Sequence, residues 1–153
     1  PKPQPQVQQG HTPPAGKKNF FSWFIYSLTK RYIDGKGRAH RMEYWSFLGM
    51  AFVAYVVVLM LDAEMFAQST GYPAEQMYEA MGAGLYSPPL AGLFSLIILA
   101  PSFALASRRL HDLGQNGWLA IACIIPIVAL VIGFPAGNKG ENKYGPDPLG
   151  GAG

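Results

Sequence analysis

Three apolar runs without a formal charge, residues 44–61, 89–107 and 118–135, decide most of what this chain can fold into. Each has about 18–19 residues, close to the ~20 that cross ~30 Å of hydrocarbon at ~1.5 Å per residue. A soluble domain can hide one such helix in its core. Three of them in 153 residues leave too little polar chain to cover them in water. Composition agrees: 50% of the chain is hydrophobic and 14% charged, against roughly 25% charged in soluble domains. The expectation is an all-α membrane protein with three transmembrane helices, preceded by an amphipathic interfacial helix.

The segments around the spans divide the chain further. Residues 1–19 are rich in Pro, Gln and Gly. They bury too little apolar surface to offset ordering entropy, and read as a disordered tail. They contain no apolar h-region of a signal peptide. Residues 20–148 form the three-span membrane domain, and 149–153 a flexible tail. In 20–33, Phe20, Phe21, Phe24, Ile25, Leu28 and Tyr32 recur at helical spacing, with Lys30 and Arg31 at the end. Such a helix suits the membrane interface, or the flank of the spans. In the long first loop, Pro73–Met81 reads as a short helix with an early proline and acids.

Charge sets an orientation. Lys17, Lys18, Lys30, Arg31, Lys36, Arg38 and Arg41 precede the first run against Asp34 alone, and Arg108 and Arg109 follow the second against Asp112. The loop 62–88 has no Lys or Arg, and carries Asp62, Glu64, Glu75 and Glu79. Basic excess on short loops marks the cytoplasmic side. Three crossings then put the N-terminus inside and the C-terminus in the periplasm of a bacterial inner membrane. A net charge of +3 is too small to suggest nucleic acid, and the lone Cys123 cannot form an internal disulfide.

Two motifs meet the membrane on that basic side: Gly37-Arg-Ala-His-Arg-Met-Glu-Tyr-Trp45, and Arg108-Arg-Leu-His-Asp-Leu-Gly-Gln-Asn-Gly-Trp118. A carboxylate at Glu43, at the end of an apolar helix, is costly to desolvate unless paired. Arg108 and Arg109 end the second run at similar depth, and arginine offers a bidentate fork. Arg38, Arg41, Glu43, Arg108, Arg109, His111 and Asp112 are therefore expected to form an interhelical polar cluster. It would act mainly as an assembly latch, with anionic lipid headgroups as a further partner. Trp23, Tyr44, Trp45 and Trp118 suit an interfacial aromatic belt. Pro101 and Pro126 are expected to kink the second and third spans, and Ala100 with Ala104 forms a small-xxx-small pair. His111 beside Asp112 invites a general-base reading, yet no nucleophile stands in a motif context. The scattered histidines do not make a zinc site, so neither metal nor cofactor is expected.

The motifs in order resemble the domain-of-unknown-function 805 family of small bacterial inner-membrane proteins. The residues that carry the resemblance are Gly37-Arg-x-x-Arg-x-Glu-Tyr-Trp45, Arg108-Arg-Leu-His-Asp112 with Gly114-x-x-Gly-Trp118, and Asn142-x-Tyr-Gly-Pro-Asp-Pro148. The resemblance spans about Phe20 to Pro148. The long acidic insert between the first two runs departs from it, as do Gln115 and Asn116, where a basic-Ser pair is expected. It implies a fold and a location and names no activity. The function expected is a non-enzymatic accessory, scaffold or envelope-associated subunit, in contact with the bilayer and able to form a homo-oligomer or join a larger membrane complex. The alternatives are a small oligomeric transporter or channel, and a membrane sensor or enzyme using the Arg-Arg-Leu-His-Asp loop.

Overall fold

The computed structural model describes residues 19–150. The Pro/Gln-rich segment 1–18 and the last residues 151–153 lie outside the described residues. What is described is helical: α1 (Phe20–Thr29), α2 (Arg41–Thr70), α3 (Glu75–Gly82), α4 (Pro89–Asp112), a 3₁₀ helix (Gly117–Ile124) and α5 (Pro126–Gly133). Two of these, α2 and α4, are long and apolar enough to cross a membrane. At ~1.5 Å per residue they run about 45 and 36 Å. Only 22% and 28% of their most apolar stretches is buried in the protein. Phe52, Val53 and Val57 on α2, with Leu93, Leu96 and Leu99 on α4, are more than half exposed. A soluble core helix would cover such side chains, whereas a membrane-spanning helix can leave them facing outward.

The chain packs as two units: one of Gly49–Leu99, and one built from what precedes and follows it. In the first of these, α2 continues past the apolar run to Thr70, so the stretch expected as an open acidic loop from residue 62 is partly helix. Ala63 and Phe66 on that extension pack against the fully buried Met77 of α3, with Ala74, Met81 and Tyr86 around them. Phe66 and Tyr86 meet edge to face at 5.0 Å. Gly71 ends α2 with φ +74°, a left-handed position that glycine adopts without Cβ strain. Asp62 is fully buried. Its carboxylate accepts from the Leu90 N–H at 3.0 Å and the Ala91 N–H at 2.8 Å. These are orphan donors of the first turn of α4, and the negative charge sits at the positive end of that helix. Sequence alone assigns Asp62 only to the acidic outer loop.

In the other unit, α1 opens with Asn19 as N-cap, its side chain accepting from the Ser22 N–H at 2.8 Å. The helix stops at Thr29, short of the expected residue 33. It buries Trp23, Phe24 and Ser27, with Phe24 against Phe47 at 5.7 Å and Trp23 edge-on to His40 at 4.6 Å. Phe20, Phe21 and Ile25 stay exposed on its other side. The aromatics expected as a belt thus divide. Trp23 and Tyr44 are buried inside the protein, Trp45 is half-buried, and Trp118 is 80% exposed.

The third apolar run is not one helix, which corrects the expected span 118–135. Pro126 has no N–H for the ladder, and its ring excludes Ile125 from helical backbone. Ile125 accordingly sits at φ −81°, ψ 114°. The 3₁₀ helix before it and α5 after it pack on each other. Pro101, by contrast, lies inside a continuous α4. The 3₁₀ helix starts beside Ser107 and His111. The end of α5 lies at Trp45, whose Nε1 donates to the Gly133 carbonyl at 3.1 Å, and at Arg109, whose Nε donates to the Ile132 carbonyl at 3.0 Å. Both ends of the run therefore lie by the last turns of α4.

Removing the Asp62 carboxylate uncaps α4. Asp62→Ala is expected to lower unfolding stability by about 1–2 kcal/mol, with Asp62→Asn costing less because an oxygen acceptor remains. Thermal melting of the purified protein in one detergent checks this; a wild-type melting temperature for Asp62→Ala overturns the capping role.

Candidate functional site

The polar residues gather where the start of α2 meets the end of α4. Arg38 comes from the loop before α2, and the Ala39 N–H donates to the Arg108 carbonyl at 3.1 Å, tying that loop to α4. His40 Nδ1 accepts from the Glu43 N–H at 2.9 Å, which satisfies a donor of the first turn of α2. Three guanidinium groups (Arg38, Arg108 and Arg109) and two carboxylates (Glu43 and Asp112) are then each at least 94% buried.

Their pairing is specific. Arg108 Nη1 donates to Glu43 Oε1, joining α4 to α2. Asp112 is shared: Oδ2 accepts from Arg109 Nη1 at 2.6 Å, and Oδ1 from Arg38 Nε at 2.9 Å. The two arginines spend their remaining donors on backbone. Arg109 donates to the carbonyls of Ile132, at 3.0 Å, and Pro135, which end α5. Arg38 donates to the carbonyls of Gly140, at 2.6 Å, and Asn138. The Asn138 N–H in turn donates to the Asp112 carbonyl at 2.8 Å. Gly137 makes this possible: a Cβ there would run into the Asp112 carboxylate. The cluster holds one more cation than anion. Arg108 Nε and Nη2, with Ser27 Oγ and Ser46 Oγ, are the buried side-chain polar atoms without a hydrogen-bond partner among the described residues.

Two expected members lie at the edge of the cluster. Arg41 is exposed and lines a pocket of about 260 Å³ with Asp112, Gly137 and Asn138. It precedes Glu43 by two helical positions, about 200° around the axis, so the two side chains cannot face the same way. His111 is half-buried beside the cluster, with Nδ1 3.0 Å from the Gly37 carbonyl and its ring stacked on Tyr144 at 3.8 Å. Sequence reasoning missed Tyr144 and Asn142, whose side-chain amide donates to the His111 carbonyl at 3.0 Å. The density of Gly, Asn and Pro in the tail signals turns there, though not what the turns pack against. Arg31 was missed as a buried group too. It holds Asp34 at 2.7 Å and Tyr26 Oη at 3.2 Å. Burial alone would lower its pKa, but these partners outweigh that and hold it above the ordinary arginine value.

Residues 138–145, assigned outside by counting three crossings, are bonded to Arg38, Asp112 and His111 at the basic side. Chemically, both carboxylates are engaged by arginine, and the arginines by carboxylates and carbonyls. Such an arrangement holds chain segments in register; it does not present a free base or nucleophile.

The family described as "Protein of unknown function (DUF805)" matches residues 32–146. Inner membrane protein YhaH of Escherichia coli (strain K12) is 32% identical over 130 residues, covering 82% of this chain and 95% of that protein. Inner membrane protein YhaI of the same strain is 31% identical over 130 residues, covering 82% and 94%. Uncharacterized protein YiiR of that strain is 25% identical over 141 residues, covering 73% and 84%. No solved structure matches the chain.

Breaking a buried pair from one side leaves an uncompensated charge, which typically costs about 3–5 kcal/mol. Glu43→Gln and Arg108→Gln are each expected to deplete the protein from membranes. The double swap Glu43→Arg with Arg108→Glu restores part of the loss. Immunoblots of membrane fractions check this; full abundance in both single variants overturns the latch.

Proposed function

The chain belongs to the DUF805 family, and on that premise we propose that it is a non-enzymatic inner-membrane scaffold with two crossing helices and a re-entrant hairpin. The two crossings are α2 and α4. The hairpin is the 3₁₀ helix with α5: it dips into the membrane from the basic side and returns to it. At ~2.0 and ~1.5 Å per residue its arms are about 16 and 12 Å long, half of a ~30 Å hydrocarbon core. Non-helical backbone at Ile125 is tolerable at that depth because its N–H donates to the Ala122 carbonyl at 3.0 Å and its carbonyl accepts from the Val128 N–H at 3.0 Å. Helix α1 lies along the same interface, with Phe20, Phe21 and Ile25 toward lipid.

The observation that carries the reading is the tail bonded to Arg38 and Asp112. With two crossings instead of three, both ends of the chain share one side. Lys139 and Lys143 of the tail then join the basic side, and the loop without Lys or Arg stays alone on the other. The positive-inside rule makes the basic side cytoplasmic. The polar cluster is the device that holds four segments at that face, and most of its groups, though not Nε and Nη2 of Arg108, are engaged in doing so. A protein whose polar atoms are committed to its own architecture suits a role as a docking subunit for other membrane components.

A cytoplasm-active reporter fused after Gly153 is expected to be active, and a periplasm-active reporter placed at Gly71 is expected to be active as well. A silent C-terminal reporter overturns the two-crossing reading. For the scaffold role, native-detergent purification followed by mass spectrometry is expected to recover a membrane partner in fixed ratio. Solute or ion flux through the purified protein in liposomes instead supports a transporter.

A further inference from the structure

Outside the polar cluster, a groove of about 790 Å³ runs between the end of α4 and the 3₁₀ helix. Its floor is made of small residues, Ala100 and Ala104 on α4 and Ala120 on the 3₁₀ helix. Its rim carries two large apolar side chains that none of the described residues covers, Ile33 at 81% and Trp118 at 80% exposure. Its mouth is polar: Lys36, Ser107, His111 and Asn116. No carboxylate lines it. The Lys36 side chain is exposed, and no ion pair among the described residues includes it.

We propose that this groove is a binding site for one anionic phospholipid, with the phosphate at Lys36 and an acyl chain along Ala104 and Ala100. The proposal rests on the two-crossing reading, which puts the mouth at the cytoplasmic interface. From His111 to Ala100 the helix descends eleven residues, about 16 Å. That is one leaflet of a hydrocarbon core ~30 Å thick. Polar and apolar ends of the groove therefore fall at headgroup and acyl depth. The small floor residues are what leave the space. They also make a surface on which a second helix could lie, but a helix would not call for an uncompensated lysine at one end. Charge decides between the occupants: a basic mouth without acids selects an anionic headgroup, and lysine near a membrane surface attracts such lipids. His111 adds to the mouth. Its Nδ1 is occupied by Gly37, while Nε2 is turned toward Gly117 on the groove.

The test is native mass spectrometry of the purified full chain with added phosphatidylglycerol, phosphatidylcholine, or glycerol 3-phosphate. The wild type is expected to retain one phosphatidylglycerol in preference to phosphatidylcholine, and glycerol 3-phosphate is expected not to displace it. Lys36→Glu weakens retention by about tenfold, reversing one surface charge. Ala100→Phe fills the groove and abolishes it. Melting curves check that both variants are folded; should Ala100→Phe fail to fold, exposed Lys36 still decides. Unchanged retention in Lys36→Glu overturns the proposal, as does equal retention of phosphatidylcholine. Displacement by glycerol 3-phosphate points to a phosphate site without an acyl chain, and a dimer free of lipid to a second copy of the chain. The C-terminal reporter separates this from the topology: a silent reporter removes the two-crossing reading whatever the lipid result.

Discussion

Burying three guanidinium groups against two carboxylates is the constraint from which the rest of this protein follows. Each ion taken out of water carries a desolvation penalty of several kcal/mol. Attraction offsets it only where geometry is good and the remaining donors find acceptors. Arg38 and Arg109 meet that condition by reaching across the chain to backbone carbonyls, Arg38 to the tail and Arg109 to the end of α5. The polar cluster therefore cannot form piecemeal. Asp112 is satisfied only when the loop before α2 and the end of α4 are both in place. A pairwise ion bridge would fix two helices; this one fixes two helices, a hairpin and a tail.

The opposite end of α2 repeats the logic with different chemistry. Asp62 has backbone N–H groups for partners instead of an arginine. Along α2, Glu43 and Asp62 lie nineteen residues apart, about 29 Å at ~1.5 Å per residue. The thickness of a hydrocarbon core is ~30 Å. Each carboxylate is held by groups of α4, Glu43 by Arg108 and Asp62 by the N–H groups of Leu90 and Ala91. Between them the side chains can be exposed Phe, Val and Leu, because solvation by lipid needs no specific partner.

How much of this was legible in the sequence depends on what kind of atom the partner is. Glu43 with Arg108 was legible, since a carboxylate at the end of an apolar run must be paired and an arginine stood at matching depth. Asp62 was not, because its partners are the N–H groups of Leu90 and Ala91, which carry no residue signature. The same holds for the tail. Its turns could be read from Gly, Asn and Pro, yet its contacts with Arg38 go through the carbonyls of Asn138 and Gly140, which any residue supplies. Arg41, two positions before Glu43, faces away from that carboxylate and lies beside Asp112 instead, a placement that spacing along α2 alone does not give.

The third apolar run shows what hydropathy alone leaves out. Hydropathy sums residues over a window and is blind to whether the backbone through that window is continuous. Pro101 and Pro126 are equivalent on such a scale. Within α4 the helix carries on through Pro101, which is itself buried. At Pro126 the chain turns, and the next helix starts with that proline at its first turn, where its missing N–H is no loss. What makes the turn stable lies at the far end. The last carbonyls of α5 need donors: Arg109 supplies one to Ile132 from the polar cluster, and Trp45 one to Gly133. A segment crossing to the other side would leave that donor of Arg109 buried without an acceptor. The fold of the most apolar stretch in the chain is thus decided by its most polar residues.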